Sequence, residues 1–170
     1  TEFKECMLKE GHIDFAAGSY IALSEIRSMQ GRIKEAEFLC KEALTLLKSY
    51  GQPSERVSPS MLLRLGMFYF ELGKWNLMKD CLDESTEKAK KGALIDWPYQ
   101  WHLAQARIHE VSGKYEAALN EIEEAEKFYV RTPLSELYPL EALKACILAK
   151  QGKINAAEQW IGNINSSASE

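Results

Sequence analysis

Four glycines set the frame of this chain. Gly31, Gly73, Gly113 and Gly152 stand 42, 40 and 39 residues apart, and each sits inside the same phrase: EIRSMQGRIKEAEF, FYFELGKWNLMKDC, IHEVSGKYEAALNE and ACILAKQGKINAAEQW. Regular periods of this size are the mark of stacked supersecondary units that bury their apolar faces on one another. After each glycine comes Arg or Lys, then an apolar residue: Ile33, Trp75, Tyr115 or Ile154. A glycine that ends a helix takes the left-handed conformation that a Cβ disfavours, so it can close one helix and start its partner. Three positions further on stands a small residue, Ala36, Ala118 or Ala157, with Met78 as the exception. Small side chains there let two antiparallel helices approach closely.

Periodicity places the helices on either side of each turn. Ile33, Ala36, Cys40, Ala43, Leu44 and Leu47 recur at spacings of three and four, as do Tyr115, Ala118, Leu119, Ile122, Ala125 and Tyr129. The set after Gly73 is Trp75, Met78, Leu82 and Ala89, with polar Ser85 filling one slot. Preceding helices carry Leu62, Leu65, Tyr69 and Leu72, and later Leu140, Leu143 and Ile147. Pro59, Pro98 and Pro139 lie 13 to 15 residues before a turn glycine and suit first helical positions, where the missing donor is not needed. No stretch alternates with period two. The expected fold is all-α: a right-handed superhelix of antiparallel helix pairs in one domain over 1–170, with repeats at 15–50, 58–91, 97–130 and 138–162. Residues 2–10 read as the tail of an earlier pair, and the expectation is that the chain is a piece of a larger protein.

Charge and composition narrow the function. The net charge is −4, and no dense Lys/Arg face is available to neutralise phosphates, so direct nucleic-acid binding is not expected. No apolar run approaches the roughly 20 residues that span a bilayer. The N-terminal TEFKECMLKEG is charged and is not a signal peptide. Cys6, Cys40, Cys81 and Cys146 are scattered without a CxxC pair and read as reduced thiols in a cytoplasmic protein.

The layout resembles the tetratricopeptide repeat. Seven residues before each turn glycine comes a small residue, Ser24, Gly66, Ala106 or Ala145; four before come Arg27, Tyr69, His109 and Leu148, where that motif prefers tyrosine. The period exceeds the usual 34. Units of about 40 residues, together with GSYIALSEIRSMQGRIKEAEFLCKEALTLL, QARIHEVSGKYEAALNEIEEAE and the closing ACILAKQGKINAAEQWI, resemble the repeat domain of the MalT-like, large ATP-binding LuxR-family bacterial transcription activators. The resemblance implies a nucleotide-binding domain before this segment and a DNA-binding domain after it, with this segment as the sensor of a small-molecule inducer or of a protein or peptide partner. It calls for no cofactor here.

Stacked pairs curve and leave a concave groove lined by the first helix of each pair. Counted from the turn glycines, the middle units would present Met67, Phe70, Glu71, Gln100, Arg107 and Glu110 there. That mixture of aromatic, thioether, amide and charge suits a sugar or a peptide. The simpler reading makes Arg107 and Glu110 an i,i+3 pair on a solvated face and packs Phe70 into a neighbouring unit. Trp97, Tyr99 and Trp101 of DWPYQWH read first as packing residues, with recognition as the alternative. Trp75 and Trp160 occupy structural positions of the motif.

Catalysis has no support in the sequence. His102 and His109 share a helix face, but no third residue follows at metal-ligand spacing. No nucleophile elbow and no Cys–His pair is legible. Two alternatives to the regulator remain open: a stand-alone repeat adaptor or peptide-binding quorum-type sensor, and the helical domain of an enzyme or scaffold without a groove ligand. Self-association is open in each case.

Overall fold

A computed structural model describes residues 13–49, 56–129 and 140–158. Seven helices are bounded within them: α1 (Ile13–Met29), α2 (Ile33–Ser49), α3 (Ser58–Glu71), α4 (Trp75–Ala89), α5 (Trp97–Val111), α6 (Tyr115–Glu126) and α7 (Leu140–Lys150). Helix resumes at 154–158, and the described residues contain no strand. The expected all-α fold of helix pairs is the observed one. Residues 2–10, Cys6, Pro139 and Trp160 lie outside the described residues.

The four turns are built alike. Gly31, Gly73, Gly113 and Gly152 have φ of 73°, 67°, 71° and 83°, the left-handed region that glycine enters without a Cβ clash. Each glycine N–H donates to the carbonyl three residues back: Ser28, Phe70, Glu110 or Ala149. The next N–H, from Arg32, Lys74, Lys114 or Lys153, donates five residues back to Arg27, Tyr69, His109 or Leu148. This is the paired 6→1 and 5→2 closure that satisfies the last helical carbonyls. The basic residue is therefore the N-cap of the following helix, and Lys74 and Lys114 cap with backbone geometry alone. Pro59 stands in the first turn of α3, as its missing donor predicts.

The small residue seven before each glycine is buried every time, whether Ser24, Gly66, Ala106 or Ala145. At Gly66 an added Cβ would lie 3.2 Å from Leu82 Cδ2 and 3.3 Å from Cys81 Cβ, so α3 and α4 touch backbone to side chain. Ala36 and Ala118, five after their glycines, are fully buried as well.

The chain divides into two compact units, Thr1–Trp97 and Pro98–Glu170. In the first, Ala36, Cys40 and Ala43 of α2 pack with Tyr20 of α1 and with Met61, Leu65, Phe68 and Tyr69 of α3. Ser85, the polar slot in the stripe of α4, is fully buried, and its hydroxyl donates to the Pro59 carbonyl at 2.7 Å. The Trp97 indole N–H in turn donates to Ser85 Oγ at 3.0 Å. In the second unit, Tyr99 and Ala106 of α5, Ala118, Ile122 and Ala125 of α6, and Leu140 and Ile147 of α7 form the core.

Candidate functional site

The residues expected on the groove divide by unit. In the first, Met67 is half-buried and Glu71 is exposed. Phe70 is buried with 7% of its surface accessible, and its ring meets the Trp75 ring edge-on at 5.4 Å and 89°. It therefore packs on the opening residue of its own partner helix, α4. Trp75 itself stays half-exposed. In the second unit, Gln100 is half-buried and Arg107 partly exposed.

Glu110 is the centre of the most developed polar cluster. Only 1% of its side chain is accessible, yet one carboxylate oxygen accepts from Arg107 Nη1 at 2.7 Å and the other from Lys150 Nζ at 2.6 Å. Burial opposes its charge, but Lys150 and Arg107 together outweigh that cost and hold the carboxyl below its usual range. The i,i+3 pair foreseen in sequence is thus present. It is not a solvated-face pair, because α7 closes over it with Lys150. Lys150 was missed in sequence. It lies two residues before a turn glycine, a position whose other occupants, Met29, Glu71 and Val111, share no chemistry with it.

A second ion pair was also missed. Glu25 of α1 pairs with Arg64 of α3, with 14% of each side chain accessible, so the two first helices of this unit are joined by charge. Arg64 lies nine residues before Gly73, one turn away from the positions at which groove residues were sought. Glu37 of α2 accepts from Lys41 at 2.6 Å and Lys74 at 3.0 Å, and both ammonium groups lie over the Tyr69 ring at 5.5 and 5.3 Å. Tyr69 is the one turn position that carries the motif's tyrosine, and here it serves as a platform for two cations.

The aromatic stretch is absorbed mainly by packing. Tyr99 is 2% accessible, its ring meets Tyr129 edge-on at 5.6 Å, and burial pushes its hydroxyl up to about 12. His102 places Nδ1 2.8 Å from Glu121 Oε2 and stacks on Phe128. Among the described residues no three His, Cys, Asp or Glu side chains gather as a metal site, and no helix is long and apolar enough to cross a membrane. These surfaces offer ion pairs, an amide, a thioether and aromatic edges, which is equipment for holding a polar molecule or a polypeptide.

A family model described as the MalT-like TPR region matches residues 1–170, from end to end. The chain belongs to that family. No curated protein matches it. As a MalT-like TPR region, the chain has a ready account of its small residues at −7 about every turn glycine and at +5 about all but Gly73: they are the close-approach points of a tetratricopeptide-type helix pair. The buried Glu110 and the Glu25–Arg64 pair are features of its own sequence laid over that frame.

Proposed function

We propose that this chain is the regulatory repeat region of a bacterial LuxR-family, MalT-like transcription regulator, and that it binds an effector on the surfaces of its first helices. The observation that carries the proposal is the family match over the whole chain. Repeat regions of this kind act by shape and surface, and the role assigned here is non-catalytic. The effector is a small polar inducer or a peptide or protein partner; the first unit offers it Met67 and Glu71, and the second, by itself, offers Gln100 and Arg107, with Glu110 and Lys150 setting the charge around Arg107. Nucleic-acid binding belongs to another part of such a regulator.

The test is the coding sequence on either side. A phosphate-loop motif G-x-x-x-x-G-K-[ST] encoded upstream and a helix-turn-helix encoded downstream are expected. A start codon just before Thr1 and a stop soon after Glu170 would overturn the regulator and leave a free-standing adaptor. In the intact regulator, Arg107→Glu should lower effector-dependent transcription of a reporter about tenfold or more while far-UV circular dichroism stays unchanged. An unaltered response would remove Arg107 from the effector surface.

A further inference from the structure

Glu110 does two jobs in the second unit. It joins α5 to α7, and it decides where positive charge reaches the surface. Joining two helices does not by itself put charge on view. In the first unit Glu25 and Arg64 join α1 to α3, and 14% of each side chain is accessible, so the pair is largely covered. Around Glu110 the arrangement differs. Its carboxylate is 1% accessible, whereas Arg107 and Lys150, which take its two oxygens, are 40% and 54% accessible. The negative partner is hidden and the positive partners face outward.

The charge is also concentrated. One carboxylate draws Nη1 of Arg107 and Nζ of Lys150 to a single point, at 2.7 and 2.6 Å. The lysines on either side are matched one to one, Lys153 with Glu116 at 3.3 Å and Lys144 with Glu126 at 3.6 Å. The surplus positive charge therefore lies at Arg107 and Lys150. The side chains flanking Lys150 on α7 are small: Cys146, one turn before it, is exposed, and Ala149 is half-buried. On α5, Val111 follows Arg107 by one turn and is exposed. Glu37 of the first unit also holds two cations, but Lys41 and Lys74 both lie over the Tyr69 ring, whose face takes up part of their charge.

We infer that Arg107 and Lys150 form a subsite for the oxyanion, phosphate or carboxylate, of a small organic effector. A guanidinium and an ammonium side by side make charge-assisted hydrogen bonds to such a group. The buried Glu110 holds both in place, so little side-chain freedom is lost when the ligand arrives. Positive charge gathered at one point suits a small anion. An acidic polypeptide would call for cations spread along the helices. The inference rests on the effector surface proposed above and names the chemistry of its second unit.

The test is an NMR titration of the full chain, following the backbone amides of Arg107, Cys146 and Lys150 while sodium phosphate or sodium acetate replaces chloride at constant ionic strength. At least one of the two anions should give saturable shifts there, half-complete at about 10 mM or below. Saturation by phosphate alone makes the effector a phosphate ester, by acetate alone a carboxylic acid, and by both a carrier of either group. Lys150→Gln and Arg107→Gln should each raise the half-saturating concentration about tenfold, and Lys150→Arg by less than about threefold. Lys74→Gln removes the same charge from the cluster at Glu37 and should leave the titration unchanged. Circular dichroism checks each fold; should Lys150→Gln not fold, Arg107→Gln, which leaves Glu110 its lysine, carries the comparison. Shifts that grow without saturation for both anions would overturn the inference, as would equal weakening by Lys74→Gln and the site variants. So would saturation by acetyl-Glu-Glu-Glu-amide alone, because the surface would then be a polypeptide dock. The coding sequence on either side decides the regulator without reference to this titration, so the two readings fail separately.

Discussion

Single residues in this chain are tuned by where the helices put them. Cys40 is fully buried, and burial pushes its thiol up to about 12, while Cys146 on α7 is exposed. A thiol of that kind is ionised in roughly one molecule in ten thousand at pH 8, and the thiolate is the reacting species. A thiol-reactive dye should therefore modify Cys146 within minutes and leave Cys40 intact until the protein is unfolded; early modification of Cys40 would show that α2 is not packed as described. Ser85 is a second case. Its hydroxyl donates to the Pro59 carbonyl and accepts from the Trp97 N–H, so Ser85→Ala deletes two hydrogen bonds at a buried position and should cost about 1–3 kcal/mol in urea unfolding. Glu110 makes the third. Its folded pKa is depressed below the ordinary 4.5, so the stability it contributes is complete above that value and is lost as pH falls through the lower, folded value. The melting temperature should fall as pH drops below about 4, and Glu110→Gln should flatten that acid decline while lowering stability at pH 7. An acid limb identical in the two proteins would contradict this assignment.

Helix pairs are governed by the space between them. Three of the four pairs place Ala five residues after the glycine, with Met78 as the exception in α4; its partner α3 has Gly66 seven before the glycine, where it faces Leu82 and Cys81 of α4. Two effects compete at Gly66. Alanine is favoured over glycine inside a helix by about 0.5–1 kcal/mol. Against that, its Cβ would meet Leu82 and Cys81 at 3.2–3.3 Å, and those side chains must yield by a few tenths of an ångström. Gly66→Ala should accordingly be close to neutral. Gly66→Leu adds three further carbons to the same contact and should cost about 1–3 kcal/mol or more. Thermal melts of the pair of variants separate the cases: a large loss with alanine already would mean that the contact cannot relax at all.

At the level of the whole chain, contacts gather within Thr1–Trp97 and within Pro98–Glu170. In repeat architectures each element depends on its immediate neighbours, so damage should be felt first where it is made. Ala118 is fully buried in the core of the second unit, between α5 and α7 residues, and Ala118→Glu forces a carboxylate into a space the size of a methyl group. The expected cost is on the order of 3 kcal/mol or more. Hydrogen exchange should show the greatest loss of protection in α5, α6 and α7. A melting temperature within a degree or two of wild type would show that Ala118 does not lie in a tight contact.

The turns, the pairing and the small residues at −7 and +5 were all legible in the amino-acid sequence. The turn closure depends on backbone geometry over six residues, where only glycine fits φ near 70° without strain, and the small residues keep a fixed count from that glycine. Helix faces were legible because 3.6-residue periodicity is local. The polar partnerships between helices were not. Lys150 reaches Glu110 across 40 residues, Ser85 serves Pro59 and Trp97 from 26 and 12 residues away, and Arg64 meets Glu25 across 39. Periodicity can say which face a residue occupies, but it does not say which helix lies opposite, or how far along it a side chain must reach. Those were settled by tertiary packing, because a buried charge or hydroxyl is tolerated only where the fold brings its partner to within hydrogen-bonding distance.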